Sequence, residues 1–145
     1  MATLEEIFEQ WSIDCRIDAI NLGSAALEVP KLHNKYWQML TRERMLMKKR
    51  QTELATLMLN KKAWLNGELT SDELKAFGWD IQLKKMLKAE QEDFLRADKD
   101  VIDMNLKIAM QQEKIDVLTD IIKMIHSRSF TISNAIKWAQ FQSGG

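Results

Sequence analysis

The chain holds a single proline, Pro30, and only five glycines in 145 residues, two of them at the C-terminus. A backbone with so few breakers makes few tight turns. Met, Leu, Lys, Glu, Gln and Ala, which lose little side-chain freedom in a helix, fill the long intervals between them. The sequence therefore predicts an all-α protein, built on two long antiparallel helices with short flanking helices. At this length one domain is expected, spanning residues 1–145.

Thr3 and Glu6 fit a capping box. They open a short helix through about Trp11, whose Leu4, Ile7, Phe8 and Trp11 form one apolar face. Asp14, Asp18 and Asn21-Leu22-Gly23-Ser24 read as loop and turn, and Ser24 as the cap of one further turn, so residues 1–29 form an N-terminal region of short helices. Val29-Pro30 restarts the chain, because proline suits a first helical turn. A long helix over 30–66 follows, about 55 Å at 1.5 Å per residue, with Gly67 in the position that ends it. Its apolar residues thin out where Lys48, Lys49 and Arg50 are consecutive. Such a helix must lie on another long helix or on another chain.

Residues 67–80 read as a linker with a second capping box, Thr70 and Glu73, and a turn at Phe77-Gly78-Trp79. Asp80 is placed to cap a second long helix over 81–127. There Leu87, Phe94, Val101, Ile108, Ile115 and Ile122 recur every seven residues. A second set, Leu83, Glu90, Ala97, Met104, Gln111, Leu118 and Ile125, is interrupted by two polar residues. This a/d pattern predicts coiled-coil contact, and Val117, Ile121 and Met124 widen the stripe enough for more than one neighbouring helix, as in a bundle or ring. Residues 128–145 read as a turn and a short final helix. Phe130, Ile132, Ile136, Trp138 and Phe141 are too many large apolar groups for a free end, so this segment is expected to dock. Ile108, Ile115, Leu118, Ile122, Ile125, Trp138 and Phe141 are the expected oligomerisation residues.

Little in the sequence suggests catalysis. His33 and His126 are the only histidines, and Cys15 the only cysteine. Each reads best as structural, which leaves no metal ligand set, no cofactor site and no nucleophile–base pair. No glycine-rich phosphate loop occurs, so nucleotide hydrolysis is not expected. The start Met1–Glu6 is acidic and no run approaches about 18 apolar residues, so neither a signal peptide nor a membrane span is expected. The protein is expected to be soluble and intracellular.

The formal net charge is zero, yet it is unevenly distributed. Residues 1–30 carry six acids against one base, 31–62 nine bases against two acids, 90–120 nine acids against four bases, and 121–145 three bases and no acid. Strips of like charge on a neutral protein can still steer an anionic polymer. Arg42, Arg44, Lys48, Lys49, Arg50, Lys61 and Lys62 are therefore the candidate nucleic-acid-binding residues, with Trp64 near the last two. The alternative is that these bases pair internally with the acids Glu90, Glu92, Asp93, Asp98, Asp100 and Asp103, in a structural coiled-coil oligomer or adaptor without nucleic-acid activity.

Three stretches carry a resemblance. They are Leu4-Glu5-Glu6-Ile7…Trp11…Asp14…Ile17-Asp18 with Pro30-Lys31-Leu32-His33-Asn34-Lys35-Tyr36; Lys61…Trp64-Leu65-Asn66-Gly67; and Ala97-Asp98-Lys99-Asp100…Lys107-Ile108…Ser127-Arg128-Ser129-Phe130-Thr131-Ile132…Asn134…Ile136…Trp138…Phe141…Gly144. In order and spacing they resemble the UvsY recombination-mediator family of large tailed phages, in the form carried by cyanophage-type relatives. The resemblance implies a protein that binds single-stranded DNA without sequence preference. It implies closed homo-oligomeric rings, of about six or seven subunits, and promotion of RecA-like recombinase loading in place of a single-strand-binding protein. The cytoplasm of the infected bacterial host is the implied location. The family's DNA contact lies shortly before the glycine ending the first long helix, where Lys61 stands. Just upstream, Met58 and Leu59 are apolar where relatives can carry another base.

Overall fold

The structure, a computed structural model, describes residues 2–83 and 85–144. Five helices form among them: α1 (Leu4–Asp14), α2 (Leu22–Leu65), α3 (Ser71–Phe77), α4 (Lys88–Ala97) and α5 (Lys99–Gln142). No strand occurs among the described residues.

Both capping boxes form. Thr3 Oγ1 accepts from the Glu6 N–H while the Glu6 carboxylate accepts from the Thr3 N–H, and Thr70 and Glu73 repeat the arrangement at α3. α1 runs one turn beyond Trp11, to Asp14, whose carboxylate accepts from Lys35 Nζ at 2.6 Å and from the Tyr36 hydroxyl at 2.8 Å. α2 does not restart at Pro30. It begins at Leu22, and Pro30 lies inside it. Ala25, Ala26, Leu27 and Glu28 are good helix formers, and they outweigh the one backbone hydrogen bond that proline lacks. The far end of α2 behaves as expected: Gly67 adopts φ +70°, and Glu68 N–H reaches the Ala63 carbonyl while Gly67 N–H reaches that of Trp64.

The second long helix differs from the expected one. Residues 80–83 and 85–87 are irregular, and the helix that follows is broken at Asp98, which is extended with φ −68° and ψ 130°. Asp98 uses one carboxylate oxygen to accept from Val101 N–H, capping α5, and the other to bind Lys61. Leu87 and Phe94 thus lie outside the helix that carries Val101 to Ile122. At its other end α5 continues to Gln142 with no turn at 128–130. The hydroxyls of this tail do not break it; that of Thr131 bonds back to the Ser127 carbonyl four residues earlier.

Two compact units are distinguished: a first of Met1–Leu46 with Gln111–Gly145, and a second of Met47–Met110. In the first, Ile7, Tyr36, Leu40, Leu118, Ile121 and Ile125 form the core, with Trp11 edge-on to Tyr36. Here α2 and α5 run antiparallel, since His33 lies beside His126 while Glu43 meets Gln111. Gln111, one of the polar interruptions in the heptads, is buried and donates to the Glu43 backbone carbonyl and carboxylate, which Lys114 also approaches. In the second unit the core is smaller: Trp64, Leu65, Leu95 and Val101, flanked by Leu57, Met58, Trp79 and Phe94.

Candidate nucleic-acid interface

The seven basic residues expected to face nucleic acid have different fates. Arg42 and Arg44 are exposed on the part of α2 in the first unit; Lys48, Lys49 and Lys62 are exposed on the part in the second. Arg50 is half-buried and pairs with Glu53 at 3.2 Å. Lys61 is only 2% exposed. Its ammonium lies 2.9 Å from Asp100 and 3.2 Å from Asp98, with the ring centroids of Trp79 and Trp64 at 4.1 and 4.8 Å. Burying an ammonium is costly unless opposite charge and hydrogen bonds compensate it, and this enclosure supplies both along with two aromatic faces. Lys61 is therefore an internal tie of the second unit rather than a cation offered to a ligand.

The partners of Lys61 come from separate elements. α2 supplies Trp64, and the segment after α3 supplies Trp79, whose indole N–H also donates to Asp100. The α4–α5 break supplies the two carboxylates. The ion pair with Lys61, opposed by partial burial and aided by the Trp79 N–H, holds the Asp100 carboxyl below the usual carboxylate range. The acids at 98 and 100 are two of those named from the sequence as possible internal partners of the basic strip, and for Lys61 they are that. The recoverable signal was Lys61 with Trp64 at i+3, a lysine on the apolar side of its helix.

Lys62, the neighbour of Lys61, points elsewhere. With Arg96 it borders a cleft of about 430 Å³ floored by Leu54, Met58, Leu95 and Val101. Met58 is thus part of a floor beside two cations. Such a cleft offers charge for phosphate and a flat apolar surface for a base.

The expected oligomerisation residues also divide. Leu118 and Ile125 are 0% and 1% exposed inside the first unit, and Ile115 and Ile122 pack partly buried against the same core. A heptad stripe serves contact within a chain as well as between chains, and here these four residues are taken up by α1 and α2. Ile108 is half-buried in the second unit. Trp138 and Phe141 are 59% and 74% exposed and stack on each other at 5.6 Å, and Phe130 is 71% exposed on the same helix. These three are the aromatic groups that the C-terminal part of α5 leaves uncovered.

His33 and His126 lie with ring centroids 5.0 Å apart, and Cys15 is exposed. Among the described residues no group of three or more His, Cys, Asp or Glu is disposed to hold a metal ion, and no helix is long and apolar enough to cross a membrane.

Comparison with known proteins adds three solved structures and a family. The crystal structures are of the bacteriophage T4 recombination mediator protein UvsY in different lattices, each 20% identical in sequence. One superposes with a TM-score of 0.83 over 99% of both chains, and a second with 0.84 over 97% of this chain and 99% of the other. A third gives 0.79 over 92% and 96%. At this identity the likeness establishes the fold. No curated protein sequence matches the chain. The sequence model of the family described as "Recombination, repair and ssDNA binding protein UvsY" matches residues 10–145. The chain belongs to the UvsY family.

Proposed function

We propose that this protein is a recombination mediator, which binds single-stranded DNA without sequence preference and promotes loading of a RecA-like recombinase in place of a single-strand-binding protein. Family membership carries the reading. It is supported by the exposure of Arg42, Arg44, Lys48, Lys49 and Lys62, with Arg50 able to exchange Glu53 for phosphate. The cations hold the backbone through charge alone, and the cleft beside Lys62 accommodates bases of any identity on its apolar floor. No catalytic step, cofactor or metal enters this mechanism. It operates in the cytoplasm of an infected bacterial host.

Assembly strengthens such a surface. A homo-oligomeric ring of about six or seven subunits would repeat it, each further contact forming at high effective concentration. Phe130, Trp138 and Phe141 are the residues that favour a seam between copies. A bent or wrapped strand on such a ring would hold the single-strand-binding protein less tightly and be open to the recombinase.

A second reading, a structural oligomer or adaptor with no nucleic-acid activity, draws on the internal pairing of Lys61 with Asp98 and Asp100 and of Lys114 with Glu43. Fluorescence anisotropy of a labelled single-stranded oligonucleotide, titrated at several salt concentrations, separates the two. The mediator reading expects binding that weakens steeply with salt and prefers single strand to duplex. Absence of binding at low salt would establish the adaptor.

A further inference from the structure

A depression in the first unit lies along α1 and α2, with a volume of about 860 Å³. Five basic side chains line it: Arg16, Lys31, Lys35, Arg42 and Arg128. Two acids, Asp14 and Glu28, face them. Lys35 is paired with Asp14, and Lys31 stands 3.8 Å from Glu28. Burial would raise the Asp14 carboxyl, but hydrogen bonds from Lys35 and Tyr36 and the charges of Lys35 and Arg128 outweigh it and hold the group ionised.

The other three bases have no carboxylate partner among the described residues. Arg128 donates to the backbone carbonyls of Cys15 and Arg16, at 3.2 and 3.0 Å, which fix its guanidinium without neutralising it. Arg42 reaches only the amide oxygen of Gln38, at 3.4 Å. Arg16 makes no ion pair. The depression thus keeps a positive excess although residues 1–30 as a whole are acidic. On α2 the bases fall in one line, Lys31, Lys35 and Arg42, with Gln38 between the last two. Their axial spacing is about 6 and then about 10 Å.

We propose that this groove is a second contact surface for single-stranded DNA, holding its phosphates. Lys31, Lys35 and Arg42 form one bank; Arg16 and Arg128 form the other. The inference rests on the proposed strand binding and extends it to four bases outside the strip expected from the sequence. No aromatic ring lines the groove, so the bases find no stacking partner there and contact is through the backbone. The spacing along α2 is of the order of that between phosphates in an extended strand. An acidic peptide is the competing occupant, since Ile13, Leu32 and Met39 offer it an apolar floor.

The test compares Arg16→Gln/Lys31→Gln with Lys123→Gln/Lys137→Gln, a double variant with the same formal charge on α5 outside the groove. Arg16 and Lys31 are exposed, so their loss leaves the core intact. The expected result for the groove variant is roughly three- to tenfold weaker strand binding near 0.1 M salt, with the slope of log K against log salt flatter by about 1.4, for two lost single-strand phosphate contacts. The α5 variant should keep the slope of the unaltered protein. Equal slopes in all three proteins, with strand binding intact, would overturn the groove assignment and leave the mediator reading standing. No binding by the unaltered protein would overturn both. A polyglutamate peptide whose binding is lost in the groove variant, while strand binding is unchanged, would assign the groove to an acidic peptide.

Discussion

In the first unit the main cluster is aliphatic and aromatic: Ile7, Tyr36, Leu40, Leu118, Ile121 and Ile125 close on one another, and the Tyr36 hydroxyl reaches Asp14 at the rim. In the second unit the hydrophobic cluster is Trp64, Leu65, Leu95 and Val101, and beside it the ammonium of Lys61 is enclosed by Asp98, Asp100, Trp64 and Trp79. Apolar burial is non-directional, so the first unit's cluster is held by exclusion of water, with directional contact set beside it, at Asp14 on the rim and at buried Glu43 with Gln111 and Lys114. A buried charge is directional. It requires Asp98, Asp100, Trp64 and Trp79 in fixed places, and the interruption between α4 and α5 puts both carboxylates within reach.

The sharpest way to break this comparison is Lys61→Ala. It leaves the largely buried Asp98 without its cation, and losing one partner of a buried pair costs about 3–5 kcal/mol. Amide hydrogen exchange should show protection lost over Met47–Met110 and kept around Leu118–Ile125. Unchanged exchange in the second unit would mean that the pair contributes nothing net. If loss of strand binding accompanies intact protection, Lys61 belongs to the interface after all.

The same contrast explains what the sequence could convey. Periodicity reports apolar faces, so α1, its capping box, the C-terminal end of α2 and the buried faces of Leu118 and Ile125 were legible. It does not report which helix covers a face, and so Leu118 and Ile125, read as part of a subunit seam, lie in the core of the first unit. Nor does it report a buried lysine. The charge pattern offered two readings of Lys61, a cation for nucleic acid or a partner of the 90–103 acids, and the fold supplies the second, with Asp98 and Asp100 as the acids concerned. The break at Asp98 was hidden for a related reason: no glycine or proline marks it, and its cause lies 37 residues away in sequence. The exposed bases of the strip were legible as a group, but their division between free and paired was not.

Leu118→Ala tests the apolar side of the comparison. It should cost about 3 kcal/mol, from lost burial and the cavity left behind. The loss should appear in denaturant unfolding, with reduced protection in Gln111–Gly145 and little change in Met47–Met110. A uniform loss across both units would show that they unfold as one cooperative body, and the distinction drawn between their cores would have no energetic meaning.

A smaller difference is expected in acid. Asp100 has its folded pKa depressed below the ordinary 3.8, chiefly by the Lys61 hydrogen bond. Its contribution is therefore fully present above that value and is lost as the pH falls through the folded pKa. Because Asp100 is about half exposed, solvent screens the pair and the effect should be less than about 1 kcal/mol. Asp100→Asn should be slightly less stable than the unaltered protein at neutral pH and converge with it in strong acid. The first unit should keep its own acid dependence in that variant, since Asp14 is also depressed, with burial overcome by Lys35 and Tyr36. Equal gaps at neutral and acid pH would remove Asp100 from the tie.

The smallest effect on the protomer is expected at the end of α5, where Trp138 and Phe141 are stacked on each other but largely open to solvent. Trp138→Ser/Phe141→Ser removes no buried surface from the first unit's core, so the unfolding free energy of dilute protein should change by no more than about 0.5 kcal/mol. If these rings form the seam between copies, the particle mass by light scattering should nevertheless fall. Strand affinity should fall with it, because isolated protomers lose the gain from repeated contacts. Ile115→Asp/Ile122→Asp gives the converse: residues packed against the core should cost stability directly, with any change in mass following unfolding. A lowered mass in the second pair at unchanged stability, and an unaltered mass in the first, would move the seam back to the heptad stripe and leave the exposed aromatics without a role in assembly.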